Sequence, residues 1–510
     1  MPVLDPSAID PDADRVVRKL TRAGFKAYLV GGCVRDLLVG QTPKDFDVAT
    51  SATPNEIRDT FRNCRIIGRR FRLAHVFFGS KIIETATFRA NPRDEDDRDL
   101  LIRRDNVFGT EAEDARRRDF TINGLFYDVE REEVLDHVGG LADLEAKLVR
   151  TIGDPDIRFQ EDPVRMLRAI KFAARLRFDF EDTTWRALLR WRTEISKCAP
   201  PRVLEEIHRL LRGGAARRSF ELMVEANVLA VLSPHLAGLV QGPGAPTRSL
   251  PIVDTAPRST VARLEYDDED PAEHDPDDPD EPHRPDELDD SDDLADPAQD
   301  EGLELDAEER NWHRVWADEP EVRAIPAPAL QLSFLAEREL TMCRAVAWRG
   351  FEQLDLAVRE GDLPSTAVAL GVVMAPFIYF GSDNEPKTVV VSAAVEEVVA
   401  PLISELRVTR RDSERLRYLL SAYRRLIWAA RRNVAAELSG GQELLEDATL
   451  LYTIVERAAG NDAVRPVAIA TTDRRGGAGG VASDSDDTDQ PRKRRRRRRG
   501  GRRRRAETVV

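Results

Sequence analysis

Between Lys26 and about Val149 the apolar positions fall in short runs (AYLV, DFDVA, CRII, AHVFF, KIIETATF, GLFYDV) separated by turn signals and brief helical stretches. Short runs rich in Val, Ile and Phe read as strands, so this part predicts a mixed sheet flanked by helices. After Pro155 the strand signal stops. Glu161 to Phe178, Thr184 to Ile195, Arg202 to Leu211 and Phe220 to Leu232 instead carry apolar residues three and four apart, the spacing of amphipathic helices. From about Gln241 to Glu309 periodicity is lost. Helical pattern resumes at Asn311 and runs to about Ala459, most clearly over Arg410 to Arg432 and Gln442 to Arg457. No repeat of fixed period is present.

The pattern divides the chain into an N-terminal tail (1–15), an α+β head (16–153), a helical neck (154–240), an insert (241–310), a helical body (311–460) and a C-terminal tail (461–510). A chain of 510 residues is long enough for about three domains. Its net charge of −15 is unevenly spread: Asp267 to Asp300 holds 18 acids against one arginine, so the remaining residues sum to +2. Such a stretch cannot bury enough apolar surface to offset ordering entropy, and a disordered acidic insert is expected. Arg492 to Arg505 holds 12 Lys or Arg and no acid, a disordered polycationic tail suited to phosphate backbones. Arg494, Arg495, Arg496, Arg497, Arg498 and Arg499 are its candidate RNA contacts.

Cys33, Cys64, Cys198 and Cys343 are far apart and form no CxxC pair, so neither a disulfide scaffold nor a structural zinc site is indicated, which fits a reducing cytoplasm. The start of the chain has no apolar leader. The longest apolar run, Ala367 to Phe380, is interrupted by Gly371 and Pro376 and is too short to span a bilayer, so a soluble protein without a membrane partner is expected.

Candidate chemistry begins at Tyr28-Leu-Val-Gly31-Gly32-Cys-Val-Arg35-Asp36, a strand ending in two glycines and followed by a short helix. Glycines at such a turn let a phosphate approach the backbone. Thirteen residues on, Lys44-Asp45-Phe46-Asp47-Val48 sets two carboxylates at i and i+2; in a strand these share one face and can converge on hard cations, Mg²⁺ or Mn²⁺. A cation pair would clamp an attacking hydroxyl and a pyrophosphate leaving group in an in-line displacement. A further carboxylate is offered by Asp119, in Arg117-Arg118-Asp119-Phe120-Thr121-Ile122-Asn123, with Glu84 as its competitor in an apolar strand; Asp119 ranks first. At the start of the neck, Asp162, Arg165 and Arg168 are spaced three apart, near one helix face, and offer an acceptor and donors for a base edge. His75 reads as a satisfied polar residue of the sheet, and Trp312, Trp316, Trp348 and Trp428 read as core.

Four motifs, GGxVRD, KDFDVAT, RRDFTIN and EDPVRMLRA, occur in this order from Phe25 to Ser233 and resemble the bacterial branch of the nucleotidyltransferase superfamily that holds the poly(A) polymerases and tRNA CCA-adding enzymes. The segment Cys64 to Val76, CRIIGRRFRLAHV, and the arginine-rich C-terminus look like the poly(A) polymerase branch. The resemblance implies a nucleotidyltransferase head followed by helical neck and body. It implies Asp45 and Asp47 as metal ligands and Asp119 as a catalytic carboxylate. Gly31, Gly32 and Arg35 match its nucleotide-binding turn, and Asp162, Arg165 and Arg168 match the element that contacts the incoming base. Cys33 stands where the family usually has Gly or Ala, and the acidic insert has no counterpart. The implied activity is adenylate addition from ATP to RNA 3′ ends, linked to mRNA processing; tRNA CCA addition is second, and a non-catalytic RNA-binding protein third.

Overall fold

The computed structural model describes residues 4–68, 72–90, 108–241, 332–378, 388–461 and 463–471. The acidic run, the arginine tail, Trp312 and Trp316 lie outside the described residues.

The head opens with α1 (Pro11–Arg22), whose start is written in its sequence. Asp10 accepts from the amides of Asp12 and Ala13, Pro11 takes the first turn, and Ala13, Val16, Val17 and Leu20 make the buried stripe. Seven strands follow: β1 (Ala27–Val30), β2 (Asp47–Thr50), β3 (Cys64–Ile67), β4 (Leu73–Phe78), β5 (Lys81–Thr87), β6 (Leu125–Asp128) and β7 (Glu133–Asp136). They form one sheet in the order β3-β4-β5-β2-β1-β6-β7. The β2–β5 pair is parallel and the others antiparallel, so the sheet is mixed, as the sequence predicts.

Alternation along the strands separates two faces. Leu29, Val48, Ala74, Val76 and Ile83 point into the main core, with α1 and α3 (Pro54–Thr60) against them. On the other face Val30, Ala49, Phe88 and Phe126 pack with Ala115 of α4 (Glu111–Arg116). Between β1 and β2 lies α2 (Gly32–Leu38), and α5 (Gly140–Ala146) follows β7.

The remainder is helical apart from two short parallel pairs, β8 (Leu148–Val149) with β9 (Asp179–Phe180), and β10 (Ala436–Leu438) with β11 (Ile469–Thr471). The neck comprises α6 (Pro155–Glu161), α7 (Val164–Leu176), α8 (Asp182–Trp191), α9 (Pro200–Leu211), α10 (Ala216–Glu225), α11 (Val228–Leu232) and α12 (Pro234–Val240). Body helices α13 (Glu337–Glu360), α14 (Thr366–Met374), α15 (Thr388–Leu406), α16 (Arg410–Arg432) and α17 (Gln442–Ala458) continue the core. Neck and body are tied at the start of α10, where Asp355 accepts from the amides of Ala216 (2.5 Å) and Arg217 (3.1 Å). Among the described residues no helix is long and apolar enough to cross a membrane.

Several sequence expectations are corrected. The head takes in residues of the expected N-terminal tail, since α1 starts at Pro11 and Leu4 and Ile9 join its core, and the expected disordered tail begins with β11 paired to β10. Asp45 lies outside β2, because the ladder with β5 begins only at Asp47 opposite Glu84. The helix expected over Glu161 to Phe178 is broken at Asp162–Pro163. The proline ring disfavours a helical conformation at the residue before it, and Asp162 is extended (φ −148°, ψ 90°). The helix over Phe220 to Leu232 is divided by Asn227 in the left-handed region (φ 56°). Glu84 sits on the open face of β5, not in an apolar interior. Trp348 donates to Val240 O (3.0 Å) and packs edge-on against Phe351, as a core residue does.

Candidate active site

The turn after β1 needs a glycine twice over. Gly31 takes φ +78°, and a Cβ there would come within 3.1 Å of Arg118 Nη1. Its amide donates to Leu125 O (3.0 Å), which fixes the turn against β6. Arg35, one turn into α2, is buried. It donates to Asp36 Oδ1 through Nε (2.9 Å) and Nη2 (2.7 Å), and to Asn123 Oδ1 through Nη1, and it covers the Phe172 ring at 5.0 Å. Its guanidinium shapes the cleft wall more than it reaches into the cleft.

Asp47 opens β2 directly opposite Glu84 of β5. Although Asp47 is exposed at the end of β2, crowding by the surrounding cleft desolvates its carboxyl and raises it to about 6; Glu84 and Asp45 push the same way, and the Arg118 charge only partly offsets them. The pair is therefore an excess of negative charge with too little cation to balance it. Asp45 is exposed, two residues outside the strand.

Asp119 is bound quite differently. It accepts from the Phe120 amide (2.9 Å), Asn123 Nδ2 (3.2 Å) and Arg168 Nε (2.7 Å), with Arg168 Nη2 at 2.5 Å. Burial works against its ionisation, yet the Arg168 charge and these donors outweigh it and hold the carboxyl at about 2. Asp119 thus joins head to neck. So does Arg158, which donates from α6 to the carbonyls of Arg117 (2.8 Å) and Arg118 (2.5 Å). Arg117 and Arg118 are gathered by Asp114 (2.9 Å each).

The break before Pro163 turns Asp162 out of the helix. Arg202 of α9 holds its Oδ2 at 2.7 Å, while the buried Oδ1 has no hydrogen-bond partner. Arg165 lies beside it, with Nη1 on Glu161 Oε2 (2.7 Å) and Arg158 O (2.9 Å).

These elements enclose one cleft of about 580 Å³, the size of an ordinary ligand site. The structure brings Gly31, Gly32, Arg35, Asp47, Asp119, Asp162, Arg165 and Arg168 to its walls. Asp45 is not among them. Arg494 to Arg499 lie outside the described residues. Sequence reasoning missed Arg202, Glu205, Glu206 and Arg209, which line the cleft from α9. Their spacing, i, i+3, i+4, i+7, is a polar stripe on an otherwise amphipathic helix and was the available signal. Among the described residues no three acids, histidines or cysteines already converge as a metal shell.

Comparison with known proteins agrees with the motifs. Residues 27–150 match the family described as "Poly A polymerase head domain", and residues 177–239 match "Probable RNA and SrmB-binding site of polymerase A". The chain is 48% identical over 236 residues to Poly(A) polymerase I of Salmonella typhi, covering 45% of this chain and 51% of that protein. It is 38% identical over 225 residues to a CCA-adding enzyme of Lactobacillus delbrueckii subsp. bulgaricus, 44% of this chain and 55% of the other. A solved CCA-adding enzyme of Bacillus stearothermophilus in complex with CTP is 30% identical, with a TM-score of 0.39 over 43% of this chain and 53% of that one. The chain spans about half the length of the curated relatives it matches.

Proposed function

We propose that the chain is a template-independent nucleotidyltransferase that adds adenylate from ATP to RNA 3′-hydroxyls and releases pyrophosphate. The observation that carries this reading is the single cleft shared by the Gly31–Gly32 turn, Asp47 and the half-paired Asp162. Similarity to a poly(A) polymerase over the head and neck supports it. In this reading residues 16–153 carry catalysis, 154–240 read the nucleotide and 311–460 brace the neck. The arginine run, outside the described residues, tethers RNA by phosphate neutralisation alone. The unpaired Cys33, Cys64, Cys198 and Cys343 fit a cytoplasmic setting.

The donor set suits a hard divalent cation, Mg²⁺ or Mn²⁺. Asp47 and Glu84 are oxygen donors side by side whose mutual repulsion a dication relieves. Asp47 and Glu84 would hold it, with Asp45 approaching from the bend before β2. When bound, such an ion supplies Lewis acidity at the reacting phosphate and lowers the pKa of the attacking hydroxyl. The chain's own groups do the rest. Arg118 at the Gly31 turn faces the triphosphate. Asp162 Oδ1 accepts from an exocyclic amino group, and Arg165 stands beside it as donor. We assign Asp119 to holding Arg168, and hence the head–neck angle, and Glu84 to the carboxylate set.

An acceptor next to a donor suits adenine and cytosine alike, since each presents an amino group beside a ring-nitrogen acceptor, whereas guanine and uracil present the reverse. GTP and UTP are therefore disfavoured by the order of Asp162 and Arg165 together, not by Asp162 alone. The choice between ATP and CTP rests on cleft size and on how rigidly Asp162 is held, which makes tRNA CCA addition the second reading. The test is primer extension with Mg²⁺, each NTP offered singly, on a short single-stranded RNA and on tRNA lacking CCA. Long products with ATP alone are expected. Two C and one A confined to the tRNA would transfer the chain to CCA addition, and no extension would leave RNA binding without catalysis.

Arg202→Ala removes the 2.7 Å charge-assisted hydrogen bond on Asp162 Oδ2. Losing one charge-assisted hydrogen bond of about 1.5–3 kcal/mol predicts a kcat/KM for ATP lower by roughly 10–100-fold, with more CTP incorporation in competition. Unchanged ATP preference would show that Arg202 does not set the acceptor.

A further inference from the structure

The nucleotide cleft occupies one side of Asp47, towards the Gly31 turn of β1. On its other side the sheet runs on through β5, β4 and β3, and the helices packed there, α1 and α3, sit on the opposite face. In register, Asp47 stands opposite Glu84, Glu84 opposite His75, and His75 opposite Arg65. Cross-strand partners project to the same face, so these four side chains form one row across four strands. Their exposure agrees: Glu84 and Arg65 are exposed and His75 half-buried, while the alternating Ala74, Val76 and Ile83 are buried. His75 Nε2 lies 3.7 Å from Glu84 Oε1.

Apolar residues flank this row on both sides: Phe77 stands opposite Ile82, which is 41% exposed, on one side, and Ile67, 46% exposed, stands opposite Leu73 on the other. The Arg65 guanidinium lies over the Phe77 ring at 5.6 Å, and Arg65 has no ion-pair partner among the described residues. An arginine stacked on an aromatic ring, on a flat sheet beside exposed isoleucines, is a platform for unpaired bases.

We propose that this open face of β3, β4 and β5 is the site for the single-stranded RNA 3′ end, with a base upstream of the terminus on Phe77 and Arg65 and the chain running along the row to bring its 3′-hydroxyl to Asp47. The proposal rests on the functional reading above. In-line transfer requires the attacking hydroxyl to approach opposite the leaving pyrophosphate. With the triphosphate at the Gly31 turn, that direction is the β5 side of Asp47. The row also runs from the exposed Arg65 at the sheet edge to the carboxylates, so the backbone is attracted at the end away from the chemistry. His75 is a positioning residue that orients Glu84.

Two measurements on the full chain decide it. Steady-state kinetics of Arg65→Gln and Phe77→Leu should raise the KM for a short single-stranded RNA about tenfold and leave the KM for ATP unchanged. Photocrosslinking of wild-type protein to RNA carrying 4-thiouridine one or two nucleotides before its 3′ end, without ATP, should give adducts within residues 64–84. Unchanged RNA KM in both variants, or adducts confined elsewhere, overturns the site. Protein–protein crosslinks through residues 64–84 in place of RNA adducts would give the face to a second copy and overturn it equally. Crosslinking needs no turnover, so a wild-type chain that fails to extend RNA would sink the functional reading while the adducts still decide the site.

Discussion

Asp47→Asn is expected to lower kcat by at least about a thousandfold while making the folded chain more stable at neutral pH. The loss follows from removing one carboxylate of the pair that would hold the metal, a contribution of several kcal/mol to the barrier. The gain follows from the raised pKa. The folded Asp47 carboxyl titrates at about 6 against an ordinary 3.8, so the folded state holds the proton more tightly than the unfolded chain does. That contribution to stability is present below about pH 4 and is lost as pH rises through 6. The neutral amide never pays it, so the melting temperature of the variant relative to wild type should climb between pH 4 and pH 6 and then level off. RNA and ATP binding should survive. Turnover retained by the pure variant would remove Asp47 from the metal site, and a flat melting difference would show that its charge is not strained.

Many elements were legible because their local signals agree with one another. The run AYLV is β1 to the residue, and Arg410 to Arg432 is α16 to the residue. Caps such as Asp10 before Pro11, and the Thr53–Glu56 capping box of α3, are local chemistry readable from spacing. The misses occur where one residue overrides a periodic pattern. Apolar spacing ran unbroken through Asp162–Pro163, although the proline forbids the helix, and that break is what turns Asp162 towards the cleft. The DxD spacing likewise implied one strand with both carboxylates on one face, but strand pairing reaches only Asp47.

The candidate site was legible as a set of residue types and less so as a set of roles. Roles depend on contacts between segments far apart in sequence. Arg35 is consumed by Asp36 and Asn123, 88 residues away, and Arg168 by Asp119, 49 residues away. Neither pairing leaves a mark in local spacing. The open sheet face is a partial exception, because the alternation of polar and apolar positions around Arg65, His75 and Glu84 was visible in sequence, while their common row needed the strand register.

The sharpest separation of roles lies between Asp119 and Glu84, and it predicts opposite phenotypes. Asp119→Asn leaves Arg168 next to a neutral amide in a buried junction. Breaking a buried pair costs about 3–5 kcal/mol, and because Arg168 is a third exposed the lower end applies, roughly a 5–10 °C fall in melting temperature. The Asp119 carboxyl is held at about 2 against 3.8, so its stabilisation is complete above about pH 4 and is lost as pH falls through 2. The melting deficit should therefore persist across the neutral range and close only in strong acid. Catalysis should suffer chiefly through a raised KM for ATP, as the head–neck angle loosens. Glu84→Gln should do the reverse, with kcat lower by at least about a hundredfold and the melting temperature unchanged or slightly higher, because an exposed carboxylate that repels Asp47 is removed. Melting curves and steady-state kinetics on the two purified variants separate these cases. A stable but inactive Asp119→Asn beside an active Glu84→Gln would return the catalytic carboxylate to Asp119, and would mean that Arg168 gives it up when substrate binds.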